Sequence, residues 1–205
     1  MSDIFIKLLN DVRQCKLCQN DLPLGVNPVL QISPSAKVLI AGQAPGLKVH
    51  QSGIPFDDKS GERLRAWLGV NATRFYNNNF FAILPMAFCY PGKGKSGDLA
   101  PRPECAGQWR EKILQQLSQV ELIIAIGAYA QDWHLTENKK NTLTETVKNW
   151  QQYYLNYTPA IIPIPHPSPR NNIWLKRNPW FEKDLVPTLQ AHIKKLGDQH
   201  DKLSP

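Results

Sequence analysis

Four short apolar runs, each followed by small or polar residues, constrain the fold of this chain most strongly. They are KVLIA (37–41), FFAILPMAF (80–88), ELIIAIG (121–127) and AIIPIPHPSP (160–169). Helical periodicity fills much of the sequence around them, over residues 3–14, 60–69, 106–117, 128–135, 142–154 and 180–196. Strands that alternate with helices predict an α/β fold, with a mostly parallel four-stranded sheet covered by helices on both faces. Pro85 cannot donate a ladder hydrogen bond, so we expect the second strand to end or bend there.

The length and charge of the chain limit its class. Its 205 residues, 42% of them hydrophobic, can bury one proper core, so we expect a single domain over 1–205 with a polar, frayed tail over about 197–205. The sequence has no apolar run of about 18 residues and no secretory leader pattern. We therefore expect a cytoplasmic protein with no membrane partner. The net charge of +7 fits either a polyanionic partner or a merely basic surface.

The four cysteines form two pairs: Cys15 and Cys18, spaced Cys-x2-Cys, and Cys89 and Cys105, with 15 residues between them. In a cytosolic protein such a pattern more often binds metal than forms disulfides. Four thiolates can hold zinc or an iron–sulfur cluster, and the spacing does not separate the two. Four unrelated buried thiols are the alternative. Four thiolates leave no open coordination position, so a metal here would be structural.

Ligands of parallel sheets bind at the carboxyl ends of the strands, where three loops of this chain are expected. The first loop begins with Gly42, Gln43, Ala44, Pro45 and Gly46. Its small residues allow a backbone to approach a ligand closely, although a plain turn has the same composition. The second loop is YPGKGKSGDL, and the third, HPSPRNN, adds weight to a site at this edge.

The third loop holds His166, which is followed by Pro167. A neutral imidazole can donate a hydrogen bond to a developing oxyanion, although a lone histidine is often structural. Ser168, Arg170 and Asn171 are candidates for phosphate contacts, with a solvated turn as the alternative.

The first loop continues into GIPFDD, which carries three more candidate residues. Phe56 can stack on a planar base, or it can be an ordinary core residue. Asp57 and Asp58 can orient or deprotonate water. Alternatively, they cap the helix that follows.

Together these motifs resemble the uracil-DNA glycosylase superfamily, and its iron–sulfur branch, called family 4, most of all. GQAPG resembles the family's first motif, Gly-Glu-Ala-Pro-Gly, and GIPFDDKSGERL and HPSP resemble its later motifs. The four cysteines have the spacing of the family's cluster ligands. The resemblance runs from about Cys15 to Asn171. It implies a three-layer α/β/α fold, and it favours a [4Fe–4S] cluster over zinc at Cys15, Cys18, Cys89 and Cys105.

The resemblance also implies roles for single residues and a DNA partner. Phe56 would stack on a base extruded from the duplex, and His166 would hydrogen-bond the base O2 as negative charge develops. The segment 42–46 would wrap the deoxyribose and its phosphate. The loop 166–171, including Pro167, would press into the duplex or hold its backbone. Such an enzyme takes the base out of the stack, at a cost of a few kcal/mol.

Two positions depart from the family pattern. The family's Glu in the first motif is Gln43 here, and Gln cannot act as a general base. The family's base-reading Asn is Pro85, which offers no side-chain hydrogen bond. Where the family has small or apolar residues, this chain has two acids, so we expect Asp58 first and Asp57 second to replace the lost carboxylate. Asp98 is a third candidate.

Three functions remain in view at this stage. The first is a monomeric DNA repair glycosylase that excises a deaminated base, uracil by default. The second is a glycosylase-like protein that binds uracil-containing or damaged DNA without cleaving it. The changes at Gln43 and Pro85 favour this function or a changed base preference. The third, a nucleotide or nucleoside hydrolase, is disfavoured mildly by the basic charge.

Overall fold

A computed structural model describes residues 2–203 of the chain. Its strands are β1 (Val38–Ala41), β2 (Phe81–Ile83), β3 (Lys93–Gly94), β4 (Gly97–Asp98), β5 (Leu122–Ile126) and β6 (Ala160–Ile164). Four of them form one parallel sheet in the order β2–β1–β5–β6, while β3 and β4 form a separate antiparallel hairpin. The predicted α/β fold with a four-stranded parallel sheet is confirmed.

Ten α-helices are present in the described part of the chain. They are α1 (Asp3–Arg13), α2 (Leu47–Ser52), α3 (Lys59–Leu68), α4 (Ala72–Phe75), α5 (Pro103–Leu114), α6 (Gly127–Leu135), α7 (Leu143–Lys148), α8 (Trp150–Asn156), α9 (Asn172–Arg177) and α10 (Val186–Leu203). A π-helical turn, Phe181–Leu185, leads into α10.

The sheet is apolar on both faces because helices cover both. Successive side chains of a strand point to opposite faces, so neighbouring residues of β1 enter two different clusters. Ile40 packs in the cluster built with α3 and α10, while Leu39 packs in the cluster built with α1 and α5. All four residues of β1 are buried. The four apolar runs are therefore continuous rather than alternating.

Several boundaries differ from the sequence prediction. The second strand ends at Ile83, two residues before Pro85. The amides of Leu84 and Met86 nevertheless still donate to the carbonyls of Ile40 and Gly42, so Pro85, which has no N–H, does not interrupt these bonds. Residues 142–154 form two helices that meet at Asn149. The expected frayed tail is wrong for 197–203, which continue α10, where Gly197 lies beside the Arg74 guanidinium. Ser204 and Pro205 lie outside the described residues, as does Met1.

The topology brings three connections to one edge of the sheet. The loops after β1, β2 and β6 all leave carboxyl ends of parallel strands. Within the described residues, no helix combines the length and apolar character needed to cross a membrane.

Candidate active site

A cleft of about 450 Å³ opens at the carboxyl ends of β1, β2 and β6. It gathers residues from all three loops that the sequence analysis placed at this edge. The residues that the sequence analysis singled out and that line the cleft are Gly42, Gln43, Ala44, Pro45, Gly46, Phe56, Asp58, Pro85, Asp98, His166, Ser168, Arg170 and Asn171. Pro167 is buried beside His166, and Asp57 is absent from the lining.

The first loop is fixed from behind by the segment that follows β2. The Met86 amide donates to the Gly42 carbonyl at 2.9 Å, and the Ala87 amide donates to the Gln43 carbonyl at 3.1 Å. The Gln43 side chain donates from Nε2 to the Leu99 carbonyl at 3.4 Å. The backbone of this wall is therefore set before any ligand binds, and the Gln43 amide reaches toward the hairpin side of the cleft.

Phe56 forms part of the wall in a strained backbone conformation. Its φ of 55° lies in the left-handed region, which costs free energy for a residue with a bulky side chain. The Phe56 Cζ lies 3.4 Å from the point where a Cβ on Gly42 would stand. The Tyr76 hydroxyl donates to the carbonyl of the preceding Pro55 at 3.1 Å. The side chain is only partly buried, so its ring is available to the cleft.

The structure separates the two acids that follow Phe56. Asp58 Oδ1 accepts a 2.8 Å hydrogen bond from the Gly61 amide and caps α3, which is the structural role considered as the alternative. Asp58 also lines the cleft. Asp57 is exposed and does not line the cleft, whereas both acids border a separate shallow groove with Lys48.

His166 lies in the cleft, two residues after the end of the buried strand β6. Burial lowers the pKa of its imidazole below 6.5, although the charges of Asp58 and Asp98 oppose this shift. The ring is therefore neutral near pH 7, and a neutral imidazole keeps one N–H that can donate a hydrogen bond to a developing oxyanion. Asn171 Nδ2 donates to the His166 carbonyl at 2.7 Å and fixes the backbone of the loop.

Two arginines tie the third loop to its surroundings. Arg63 of α3 donates to the Ser168 carbonyl at 3.1 Å and to Asn172 Oδ1 at 2.8 Å. Arg170 donates to the Ser96 carbonyl of the hairpin turn at 3.4 Å. Sequence reasoning missed Arg63, since nothing in the sequence of α3 indicates which loop it contacts.

The β3–β4 hairpin was expected only as loop, yet it forms a wall of the cleft. It places Asp98 Oδ2 3.5 Å from the point where a Cβ on Gly46 would stand. Gly97 has a φ of 150°, and a Cβ there would lie 2.4 Å from the Arg170 guanidinium. The sequence signal was present in GKSG, because two glycines that flank two polar residues are typical of a tight hairpin turn.

All four cysteines border one small cavity of about 20 Å³, between the end of α1, the loop after β2 and the start of α5. The Phe88 amide donates to Cys105 Sγ at 3.4 Å, and Trp109 Nε1 donates to Cys15 Sγ at 3.3 Å. Burial raises the pKa of the Cys105 thiol to about 12 and also raises that of Cys89. The four thiols, each only partly buried, thus share one mostly apolar cavity, and N–H donors are directed at two of the sulfurs.

These thiols do not converge on one point. No group of three or more His, Cys, Asp or Glu side chains in residues 2–203 is arranged to hold a metal ion. With Zn–S bonds near 2.3 Å, a tetrahedral zinc site would bring sulfur atoms within about 3.8 Å of one another.

Arg110 was missed by sequence reasoning and is a prominent feature behind the cleft. It is the only charged side chain that is buried among the residues the structure describes, with an exposed fraction of 0%. Its guanidinium donates to the carbonyls of Leu84 at 2.9 Å and Pro85 at 3.0 Å, and contacts His134 Nε2 at 2.7 Å. Burial lowers its pKa to about 10, against the opposing influence of Cys105, so it stays charged at neutral pH.

The comparison with known protein families matches this geometry. The model of the Uracil DNA glycosylase superfamily matches residues 30–190, which include the sheet and the three loops of the cleft. The cysteine pair at 15 and 18 lies before the matched range, whereas Cys89 and Cys105 lie within it. Since the match covers most of the chain, the protein belongs to the uracil DNA glycosylase superfamily.

Proposed function

We propose that this protein is a DNA glycosylase that flips a deaminated base, uracil by default, out of DNA and hydrolyses its glycosidic bond. The observation that carries the proposal is the single cleft that brings Phe56, His166 and the loop 42–46 together. Membership in the uracil DNA glycosylase superfamily supports DNA as the substrate. The net charge of +7 supports a polyanionic partner.

In this proposal the cleft binds the extruded nucleotide through three kinds of contact. The ring of Phe56 stacks on the base, the backbone of 42–46 lies along the deoxyribose and its phosphate, and neutral His166 donates a hydrogen bond to the base O2. As the bond between C1′ and the base nitrogen breaks, its electron pair moves onto the base, and this hydrogen bond strengthens with the developing charge. Water adds its oxygen to C1′, which leaves an abasic site and the free base.

The water must lose a proton in this reaction, and a carboxylate is the group suited to accept it. Gln43 cannot serve, because an amide is not a base at neutral pH. Asp58 is the first candidate, since the cap of α3 uses only Oδ1 and a carboxylate has a second oxygen with lone pairs. Asp98 also lines the cleft, whereas Asp57 borders a different groove and is the weakest of the three.

The surface beside His166 is suited to the DNA backbone and duplex. Ser168, Arg170 and Asn171 line the cleft, and Lys176 and Arg177 end the short helix α9. Ile173, exposed to 66%, lies between these polar and basic positions. An exposed apolar side chain amid phosphate-binding groups is suited to fill the space left by an extruded base.

We further propose that the four cysteines hold a [4Fe–4S] cluster. Cys15, Cys18, Cys89 and Cys105 would ligate it, and its contribution would be to tie α1 to α5 and the loop after β2 rather than to act on the base. The N–H donors of Phe88 and Trp109 suit thiolate sulfur. Visible absorbance and an iron content of several atoms per chain in anaerobically purified protein would support the cluster; a colourless, zinc-loaded protein would contradict it.

A second candidate function is recognition of a damaged base without excision. The observation that favours it is the Gln43 amide in the place of a carboxylate, together with the commitment of one Asp58 oxygen to a helix cap. Both functions use the same cleft, so they differ only in whether the glycosidic bond of the bound nucleotide is broken.

The deciding experiment uses single- and double-stranded oligonucleotides that contain uracil, hypoxanthine or xanthine. The protein is incubated with each, and alkali then cleaves the strand at any abasic site. Strand breaks that disappear in His166→Ala support the glycosylase. Retarded mobility of the oligonucleotide without breaks supports recognition alone. Release of base from free deoxyuridine but not from DNA would overturn both in favour of a nucleoside hydrolase.

A further inference from the structure

We propose that Arg110 is a positioning residue that couples the loaded cysteine site to the cleft, balancing the charge of the thiolates while holding the Leu84–Pro85 backbone. This inference rests on the proposed function and on the proposed [4Fe–4S] cluster. It concerns a residue that lines neither the cleft nor the cysteine cavity.

The first part of the argument is the charge of Arg110. A fully buried guanidinium needs a counter-charge, yet none of its described contacts is a carboxylate. Its partners are two carbonyls, the ring nitrogen of His134 and the ring of Trp133, whose centroid lies 5.5 Å from Cζ. Nε is buried without a hydrogen-bond partner among the described residues.

The second part is the location of the cysteine site. Cys105 lies on the same helix, α5, and interacts electrostatically with Arg110. Four thiolates around an iron–sulfur cluster carry a net negative charge, because the cluster core neutralises only part of theirs. The buried Arg110 cation and this partly buried anionic site thus share helix α5, and their attraction lowers the free-energy cost of burying Arg110.

The third part is the backbone route to the cleft. Arg110 holds the carbonyls of Leu84 and Pro85, and the Phe88 amide of the same segment donates to Cys105 Sγ. Between these two anchors, the amides of 86 and 87 donate to the carbonyls of Gly42 and Gln43. A shift of the segment 84–88 would therefore move the loop 42–46, which lines the cleft.

The test compares Arg110→Gln and Arg110→Lys with the wild-type protein, all purified anaerobically. Lys148→Gln is the control for loss of a positive charge, because Lys148 is exposed at the end of α7, away from both sites. The readouts are iron per chain, the rate at which a chelator removes iron, circular dichroism, and affinity for an oligonucleotide with a non-cleavable uracil nucleotide.

We expect Arg110→Gln to lose iron to the chelator about 10–100-fold faster, the usual effect of losing a second-layer partner of a metal site. Its affinity for the oligonucleotide should fall about fivefold or more. Arg110→Lys keeps the charge and should retain iron, but one ammonium cannot replace both carbonyl contacts, so affinity should recover only in part. Lys148→Gln should match wild type in the rate of iron loss and in affinity for the oligonucleotide.

Four results would overturn the proposal. One is an Arg110→Gln protein with wild-type iron retention and DNA affinity. Another, which serves if Arg110→Gln does not fold, is wild-type protein whose affinity for the oligonucleotide is unchanged after iron is removed. The third is an Arg110→Lys protein that loses iron as fast as Arg110→Gln. Wild-type protein that contains no iron but still excises uracil would overturn the cluster and this coupling while leaving the glycosylase intact.

Discussion

The carbonyl oxygen of Phe56 lies against Gly61 so closely that a Cβ on Gly61 would be 1.8 Å from it. Phe56 itself has a left-handed φ of 55°. The turn that places the Phe56 ring in the cleft wall is therefore held by a contact that only glycine permits, and Asp58 completes it by capping the Gly61 amide.

Replacing Gly61 by Ala should disturb this turn. The added methyl group cannot occupy the space of a backbone oxygen, so Phe56 or α3 must move. We expect a loss of about 3 kcal/mol in the free energy of unfolding, measured by denaturant titration. Uracil-DNA affinity should fall as well, because the ring of Phe56 would no longer face the cleft in the same pose.

Gly107 provides the matched control for this substitution. It is exposed on α5, and a Cβ there meets nothing within 4 Å. Gly107→Ala should be neutral or stabilise the protein by up to about 1 kcal/mol through helix propensity. A Gly61→Ala protein as stable as Gly107→Ala, with unchanged DNA affinity, would contradict the role given to this contact.

The two roles of Asp58, helix cap and proton acceptor, can be separated by substitution. Asn caps helices as well as Asp does, so Asp58→Asn should keep stability while base release slows by about a hundredfold or more. Asp58→Ala should slow base release similarly and also lose about 1 kcal/mol of stability. Undiminished base release by Asp58→Asn would exclude Asp58 as the acceptor and leave Asp98 to be tested in the same way.

The fold was predictable from the sequence to a large extent, for a physical reason. Strands buried on both faces are continuous apolar runs, and each of the four apolar runs in the sequence contains one strand of the sheet. The ends of the strands were harder to place. The run 80–88 keeps its apolar character after β2 ends at Ile83, since those residues still line the core and the cysteine cavity. Short helices such as α2 and α9 were missed because six residues carry little periodicity.

The candidate site was only partly predictable. The three loops were placed at one sheet edge from topology alone. The sequence could not show that only Asp58 of the two adjacent acids lines the cleft, because this depends on the local path of the backbone. The burial and the contacts of Arg110 could not be predicted from the sequence, for a different reason. A lone arginine in an amphipathic helix is normally solvated, and its partners at 84 and 85 are far away in sequence.

The pH dependence of base release should follow His166. Burial lowers the pKa of its imidazole below 6.5, so the neutral ring that donates to the base is present at pH 7 and above. The rate of base release should be constant above pH 6.5. It should fall only at lower pH, as the His166 ring gains a proton. Asp98 opposes the shift, so Asp98→Asn should move this acid limb to still lower pH.

The ring of His166 can be followed directly by NMR titration in wild type and Asp98→Asn. A titration midpoint above 6.5 in wild type would contradict this assignment, as would a midpoint that rises in Asp98→Asn. His166→Ala should slow base release about a hundredfold or more at pH 7.5, comparable to the loss of one oxyanion donor elsewhere.

His134 should make the protein less stable in mild acid. Burial and the neighbouring Arg110 charge lower its pKa from 6.5 to about 3 in the folded state. Below pH 6.5 the unfolded chain therefore binds a proton that the folded chain does not, and stability falls as pH decreases toward 3, by about 1.4 kcal/mol per pH unit.

His134→Gln keeps an acceptor for the Arg110 guanidinium but cannot titrate. Denaturant titrations at pH 7, 6 and 5 should thus show a shallower loss of stability in His134→Gln than in wild type, because all other titrating groups are common to both. If the free energy of unfolding fell equally with pH in both proteins, the imidazole of His134 would take up a proton in the folded protein. Arg110 would then need an acceptor other than a neutral His134.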